Sequence, residues 1–211
     1  MAEQFMQNVL VLGDHPESLF ALLAVLVLLV AGISFRRVRL TTGMLINIAL
    51  MVALTVLLHQ IRLYHFPQGG AVTLGSMVPL VLVAFRYGTP VGALAGFLYG
   101  FFNLMQDPFL LHPVQVLFDY PLPFMAMGLA GLFPKRRMLS VAVAFFARFL
   151  SHFISGVVFF ASYAPEGTSP VLYSLVVNGS ILLPEFLICC AILHFLPIQK
   201  LLSAMDRRSA P

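Results

Sequence analysis

The sequence predicts an all-α integral membrane protein, because its composition and its long apolar runs both favour that class. Of 211 residues, 60% are hydrophobic and only 9% are charged, and the mean hydropathy is +0.97. An average soluble domain has roughly 25% charged residues, and a transmembrane helix needs about 20 mostly apolar ones. None of the apolar runs shows the period-2 alternation of barrel strands, so all are expected to be helices. The runs cover roughly residues 18–35, 41–61, 71–86, 89–105, 114–133, 138–163 and 171–197.

The basic residues predict one orientation in the membrane. Residues 1–17 contain no Lys or Arg, and the basic cluster at 36–39 follows the first run. This order favours a retained helix with its N-terminus outside over a cleaved signal. Ten of the 12 basic residues then fall on the cytoplasmic side, with Arg62 outside and Arg148 in the membrane. We expect a multi-pass protein of the cell membrane with a cytoplasmic C-terminus.

The chain should form a helical bundle whose longest loops face outside. These loops, near residues 62–70, 106–113 and 164–170, carry Pro or Gly turn signals. A binding mouth is therefore expected on the outer side.

The sequence lacks the motifs that are typical of several function classes. There is no G-x-x-x-x-G-K-[ST] phosphate loop, no H-E-x-x-H and no G-x-S-x-G, so the chain is not expected to bind ATP in the usual way or to be an enzyme. Cys189 and Cys190 are adjacent in an apolar run, which fits neither a disulfide framework nor a metal site. We expect no metal and no other cofactor. The pI of about 9.4 comes from basic residues scattered along the chain, so nucleic acid is not an expected partner.

Asp119 is the first candidate for a ligand-binding residue. It lies in the outer part of the fifth run between Phe118 and Tyr120, and Pro121 and Pro123 follow it. The prolines break the helical hydrogen bonding, and an acid at membrane depth is costly and commonly functional. The alternative is an aspartate that caps a helix or reaches water at the interface.

The sixth run carries a polar stripe at helical steps of three and four residues, which must point into the bundle. Serine and histidine commonly supply interhelical hydrogen bonds in membranes, and we prefer that interpretation for the three serines. For His152 a functional role is equally open, because histidine changes charge near neutral pH. The stripe consists of Arg148, Ser151, His152, Ser155, Phe159, Ser162 and Tyr163.

Arg148 and Glu185 are expected to form a buried ion pair between the last two runs. Each lies about eleven or twelve residues from the cytoplasmic end of its run, so at about 1.5 Å per residue they reach similar depth. An unpaired charge in hydrocarbon would cost several kcal/mol. Asn178, seven residues before Glu185, shares its helix face.

Two small-residue patterns indicate close helix contacts. Gly92, Gly96 and Gly100 recur every four residues on the fourth run and are interpreted as internal packing. Ala49 and Ala53 have the same spacing on the second run. For the alanines, internal packing and docking of another membrane protein are both open.

Five segments together resemble the thiamine-specific S component, the substrate-binding membrane subunit, of energy-coupling factor (ECF) transporters. The resemblance extends from about Thr41 to Pro197. It implies a six-helix core over residues 41–197. The first apolar run then lies in an extension over 1–40 as one extra transmembrane helix, and residues 198–211 form a cytoplasmic tail. The segments are Leu111-His-Pro-Val-Gln-Val-Leu-Phe-Asp-Tyr-Pro, Gly128-Leu-Ala-Gly-Leu-Phe, Ser151-His-Phe-Ile-Ser-Gly, Ser162-Tyr-Ala-Pro-Glu-Gly and Tyr173-Ser-Leu-Val-Val-Asn-Gly.

The resemblance also implies residue roles. The family's acid for the aminopyrimidine of thiamine falls on Asp119, and the family's Ala-x-x-x-Ala docking motif falls on Ala49 and Ala53. The implied partners are thiamine, the lipid bilayer, a transmembrane coupling subunit and two cytoplasmic ATPases. The other implied ligand-binding residues are Tyr120, His152, Phe160, Tyr173 and Asn178.

The sequence departs from the family pattern in three ways. It has no tryptophan, and Phe160 and Gly70 hold the positions where some members sandwich the ligand between tryptophans. Phenylalanine attracts a cation more weakly than tryptophan, so Tyr64 or Tyr163 is a candidate for compensation. The acid is one methylene shorter than the usual glutamate, and the first run lies outside the six-helix core.

These observations predict a membrane subunit that captures thiamine from outside for ATP-driven uptake. The alternative is a self-sufficient transporter of thiamine or a related vitamin precursor, for which protonation of His152 or Asp119 offers a route to proton coupling.

Overall fold

Helices dominate the computed structural model, which describes residues 16–36, 38–66 and 70–209. The predicted helical membrane fold is confirmed, and among the described helices α2, α7 and α8 are each long and apolar enough to cross a membrane. In chain order the elements are α1 (Pro16–Phe35), α2 (Thr42–His59), β1 (Arg62–His65), β2 (Ala71–Thr73), α3 (Val78–Tyr87), α4 (Thr89–Gln106), α5 (Pro113–Asp119), α6 (Pro121–Met125), a 3-10 helix (Ala126–Gly131), α7 (Arg137–Phe159), a 3-10 turn (Ala161–Tyr163), α8 (Pro170–Phe195) and α9 (Ile198–Ser209).

Parts of the predicted boundaries lie outside the described residues. They are residues 1–15 of the N-terminal extension, residue 37 of its basic cluster, residues 67–69 of the first outer loop and residues 210–211 of the tail.

The third predicted run is shorter than expected. Its first residues form β2, which pairs antiparallel with β1 in a hairpin, and Gly75 at a φ of 74° separates that strand from the helix. α3 begins only at Val78, so the expectation of a helix over 71–77 is wrong. Its 10 residues extend about 15 Å at 1.5 Å each, half of a hydrocarbon core of about 30 Å. Every residue from Val78 to Ala84 is buried, which makes α3 the centre of the bundle.

The fifth predicted run is broken as its prolines require. α5 ends at Asp119 and α6 begins at Pro121. The glycine series on α4 lies directly against this break: a Cβ at Gly100 would be 2.5 Å from the Tyr120 carbonyl oxygen, and one at Gly96 would overlap the Phe124 carbonyl. The predicted internal packing of the glycines is therefore present.

The extra helix α1 packs against the broken helix. Ala24 forms a small buried cluster with Phe118 and Leu122, and the Phe20 ring meets the Phe118 ring edge to face at 5.9 Å. Ala49 and Ala53, on α2, are exposed.

Most of the predicted C-terminal tail forms a helix, α9. α9 returns to contact α2 and α3 and buries Leu202 and Met205. The Asn47 amide on α2 donates to the Met205 carbonyl at 2.9 Å and to the Tyr87 hydroxyl at 2.7 Å. Residues 198–209 are thus a docked helix rather than a simple tail.

Candidate ligand-binding site

A cavity of about 940 Å³, its open mouth included, lies between α2, α4 to α8 and the loops that join them. Its walls combine aromatic rings with a few polar groups, which is typical of small-molecule sites. All six residues predicted to contact a ligand line this cavity, and Gly70 lines it as well: the six are Asp119, Tyr120, His152, Phe160, Tyr173 and Asn178.

Asp119 is the centre of a hydrogen-bond network on the cavity wall. Its Oδ2 accepts from Gln115 Nε2 at 2.6 Å and from Ser155 Oγ at 2.9 Å. Its Oδ1 lies 3.3 Å from His152 Nδ1. The side chain is 16% exposed, so it has little contact with water. The N-cap position of the following helix, α6, is held by Tyr120, and no side chain caps that helix. Because Oδ2 already has two donors, Oδ1 is the oxygen with capacity for a ligand.

The Tyr120 hydroxyl forms its hydrogen bonds to the loop after α4 and not to the cavity. It accepts from the Phe109 backbone N–H at 2.7 Å and donates to the Asp107 carbonyl at 2.8 Å. Tyr120 therefore presents its ring to the cavity, while its oxygen fixes the segment between α4 and α5.

Asn178 ties α8 to α7. Its amide nitrogen donates to Ser174 Oγ at 3.1 Å, to the Ser174 carbonyl at 3.0 Å and to the His152 carbonyl at 3.3 Å. These bonds use the NH₂ group, so the amide oxygen is the atom that can accept from a ligand. Gly156 on α7 allows α8 to approach this closely, because a Cβ at that position would overlap Ser174 Oγ.

The aromatic wall contains a residue that the sequence did not single out. Phe109 stacks on Phe160 with ring centroids 5.5 Å apart and planes at 22°. The Tyr163 ring lies 5.7 Å from Phe160. Tyr64 meets Phe66 at 4.7 Å within the hairpin segment. Neither Tyr163 nor Tyr64 is among the residues that line the cavity.

Gln115 connects Asp119 to the loop above it. It is fully buried, donates to the Phe109 carbonyl at 3.0 Å as well as to Asp119, and accepts from the Leu111 N–H at 3.0 Å. The spacing of four residues between Gln115 and Asp119 on one helix was a usable signal. His112, at the end of the same loop, accepts from the Val114 N–H at 3.2 Å through its Nδ1 and so caps α5.

Arg62 and Asp107 form an ion pair at the cavity that sequence reasoning missed. Arg62 Nη1 lies 3.1 Å from Asp107 Oδ2, and Asp107 lines the cavity. The two residues are 45 positions apart, in a hairpin and a loop whose meeting no local pattern encodes.

Arg148 and Glu185 occupy the positions expected for a buried pair. Arg148 Nη1 lies 2.9 Å from Glu185 Oε2, with side-chain exposures of 6% and 1%. Thr73 Oγ1 donates to the other carboxylate oxygen at 2.7 Å. The hairpin thus supplies a hydrogen bond to the buried carboxylate of the pair.

The predicted polar stripe on α7 is partly wrong. Ser151 donates to the Phe118 carbonyl at 2.8 Å, as expected of an interhelical contact. The helix ends at Phe159, so Ser162 and Tyr163 lie in the following 3-10 turn and are exposed. Phe160 is the C-cap of α7 and Pro170 is the first residue of α8, so the stripe does not extend past the end of α7.

Within the described ranges, no group of three or more His, Cys, Asp or Glu side chains could hold a metal ion.

Residues 45–204 match the model of the family described as "Thiamine transporter protein (Thia_YuaJ)". The chain belongs to this family. The resemblance drawn from the sequence motifs is thereby confirmed, and the chain is a membrane protein of the thiamine transporter family. The family match begins within α2, so α1 lies outside it.

The chain is also similar to individual members. The thiamine transporter ThiT of Bacillus subtilis (strain 168) is 37% identical over 171 residues, which cover 72% of this chain and 88% of the relative. The ThiT of Lacticaseibacillus paracasei is 34% identical over 124 residues, covering 49% of this chain and 62% of the relative. A solved structure of ThiT from Listeria monocytogenes matches with a TM-score of 0.65 and 25% identity, covering 80% of this chain and 97% of the other.

Proposed function

We propose that this chain captures thiamine from outside the cell as the substrate-binding membrane subunit of an ECF-type transporter. Family membership supports thiamine as the ligand. The observation that carries the proposal is Asp119, a partly buried carboxylate with three donors around it, on the wall of a cavity that also holds stacked aromatic rings.

The cavity chemistry suits thiamine. An exocyclic amine on the pyrimidine can donate to Asp119 Oδ1 in a charge-assisted hydrogen bond, and the Asn178 amide oxygen offers another acceptor. The cationic thiazolium is attracted to aromatic faces such as that of Phe160. Tyr120, Tyr173 and His152 complete the proposed contact set. Binding of this kind needs no covalent step, so the chain acts as a binding protein rather than an enzyme, and it needs no cofactor.

Transport by an ECF mechanism requires partners. The chain has no phosphate loop, so a coupling subunit and two cytoplasmic ATPases would supply the energy. Ala49 and Ala53 are exposed on α2 and are the proposed docking surface for the coupling subunit. α1 contacts α4 and α5 rather than covering these alanines, which supports an accessible face. The proposed orientation keeps the N-terminus outside and the C-terminus in the cytoplasm of a cell-membrane protein.

Thiamine binding to the purified protein tests the site. Asp119→Asn and His152→Ala should each weaken affinity more than about tenfold, or about 1.4 kcal/mol. His194→Ala is the matched control, because His194 is an exposed histidine in the last turn of α8. Unchanged affinity in both cavity variants would refute the assignment.

A further inference from the structure

The helix that carries Asp119 is too short to fix its own orientation in the membrane. α5 has seven residues and extends about 10 Å at 1.5 Å each, a third of a hydrocarbon core of about 30 Å. A new helix starts directly after it at Pro121, so α5 is not one turn of a longer straight helix. The rotation of a membrane helix is set by its neighbours and its interfacial anchors. For α5 the packing neighbours must therefore decide where Asp119 points.

Two faces of α5 have different neighbours. Gln115 and Asp119, four residues apart, share the face that lines the cavity. Phe118 is buried in the cluster that α5 forms with α1. The side chains of Phe118 and Asp119 are about 100° apart around the helix axis. Because both faces belong to one helix, a shift of Phe118 turns Asp119 by the same angle.

α1 packs closely on the face that carries Phe118. Phe118 is 3% exposed and Ala24 has no exposed surface, and the Phe20 and Phe118 rings meet edge to face with centroids 5.9 Å apart. Small residues such as alanine let membrane helices approach closely, so that packing stabilises their association. Val114 and Leu117 of α5 pack against the same cluster. The cluster thus extends along most of α5.

α7 holds α5 from another direction. Ser151 donates to the Phe118 carbonyl at 2.8 Å, and Ser155 donates to Asp119 Oδ2 at 2.9 Å. α5 is therefore held between α7, which belongs to the part of the chain that matches the family, and α1, which lies outside that match.

We propose that α1 is a positioning element of the ligand site, in which Phe20 and Ala24 hold α5 in the rotation that directs Asp119 Oδ1 at the exocyclic amine of the ligand. This inference rests on the proposed function, in which the ligand is thiamine. Phe20 and Ala24 do not line the cavity, and they act through Phe118. An element outside the family match thereby takes part in ligand recognition.

The preference for thiamine over an analogue with an oxo group in place of the exocyclic amine tests the inference. The amine can donate to Asp119 Oδ1, whereas the oxo oxygen can only accept. Calorimetry on the full chain in lipid nanodiscs measures both affinities. A fall in the fraction of binding-competent protein lowers both affinities by the same factor and leaves their ratio unchanged. A turned Asp119 lowers the ratio itself.

The wild type should prefer thiamine at least about tenfold. Ala24→Phe places a ring where α1 meets Phe118 and should lower this preference at least about threefold. Phe20→Ala adds no bulk, should lower the preference in the same direction, and replaces Ala24→Phe if that protein is not monodisperse. Leu26→Phe is the matched control on α1, because Leu26 is 55% exposed. It should keep the wild-type preference.

The outcomes separate the inference from the proposed function. Wild-type preference in folded Ala24→Phe and Phe20→Ala proteins would overturn the inference and leave the proposed function intact. A wild type that binds thiamine without preferring it to the analogue would refute the role of Asp119, and the inference would fall with that role. A wild type that does not bind thiamine would refute the proposed function and the inference together.

Discussion

Replacing Gln115 by leucine should weaken thiamine binding although Gln115 need not touch the ligand. The change removes the 2.6 Å bond to Asp119 Oδ2 and both bonds to the loop, to the Phe109 carbonyl and the Leu111 N–H. A hydrogen bond to a charged group contributes about 1.5–3 kcal/mol. Ser155 still donates to the same oxygen at 2.9 Å, so the lower end applies. The expected loss is about 1.5 kcal/mol, or about tenfold in affinity.

Calorimetric titration of the purified variants with thiamine measures this loss, with thermal unfolding as the check on folding. Tyr120→Phe is the matched control, because it removes the hydroxyl bonds to the loop and leaves the donors of Asp119 in place. It should lose less than about threefold. Gln115→Glu should lose more than Gln115→Leu, because it places a second carboxylate against Asp119. A folded Gln115→Leu protein with wild-type affinity would refute the reasoning.

The remaining predictions concern the bundle and its partners. Arg148→Gln and Glu185→Gln should each lower the free energy of unfolding by about 3–5 kcal/mol in denaturant titrations, because each leaves a buried charge uncompensated. An exchange of the two charges should recover only part of this loss, because Thr73 donates to Glu185. Equal tolerance of the two single changes would contradict the pairing. Gly96→Ala should lower the free energy of unfolding by more than about 2 kcal/mol in the same assay, since the added Cβ would overlap the Phe124 carbonyl. Wild-type stability of this variant would show that α4 and α6 can move apart at little energetic cost. In liposomes, Ala53→Leu should abolish ATP-dependent uptake with coupling partners present while thiamine affinity stays unchanged; uptake by the chain alone under a proton gradient would favour the self-sufficient transporter instead.

The depth of each polar side chain in the membrane could be predicted well from the sequence. Arg148 and Glu185 could be paired because a constant rise per residue converts chain position into membrane depth, and hydrocarbon penalises any other arrangement. Asp119 could be singled out for the same reason. Periodicity likewise assigned the α4 glycines to a packed face.

Contacts between loops and helix ends could not be derived in this way. Arg62 meets Asp107, and Asn103 meets His59, through separations of 45 and 44 residues, and neither pair is marked by a local repeat. The hairpin at 62–73 was hidden for a different reason: a short apolar strand before an apolar helix has no periodicity that separates the two. Phe109 was missed because a single phenylalanine among 20 carries no signal of its own.

The docked helix α9 has a practical consequence for engineering the protein. A hydropathy profile places the end of the last membrane run at about Pro197, so the residues after it look dispensable for the membrane fold. Removing them would uncover the surfaces of α2 and α3 that Leu202 and Met205 bury, and would take away the carbonyl that receives the Asn47 amide. Asn47 is buried and Ala49, two positions later on the same helix, is exposed on the other side. A shortened chain or a rigid C-terminal fusion would therefore disturb the inner packing of the helix that carries the proposed docking alanines, so purification tags are better joined through a long flexible linker.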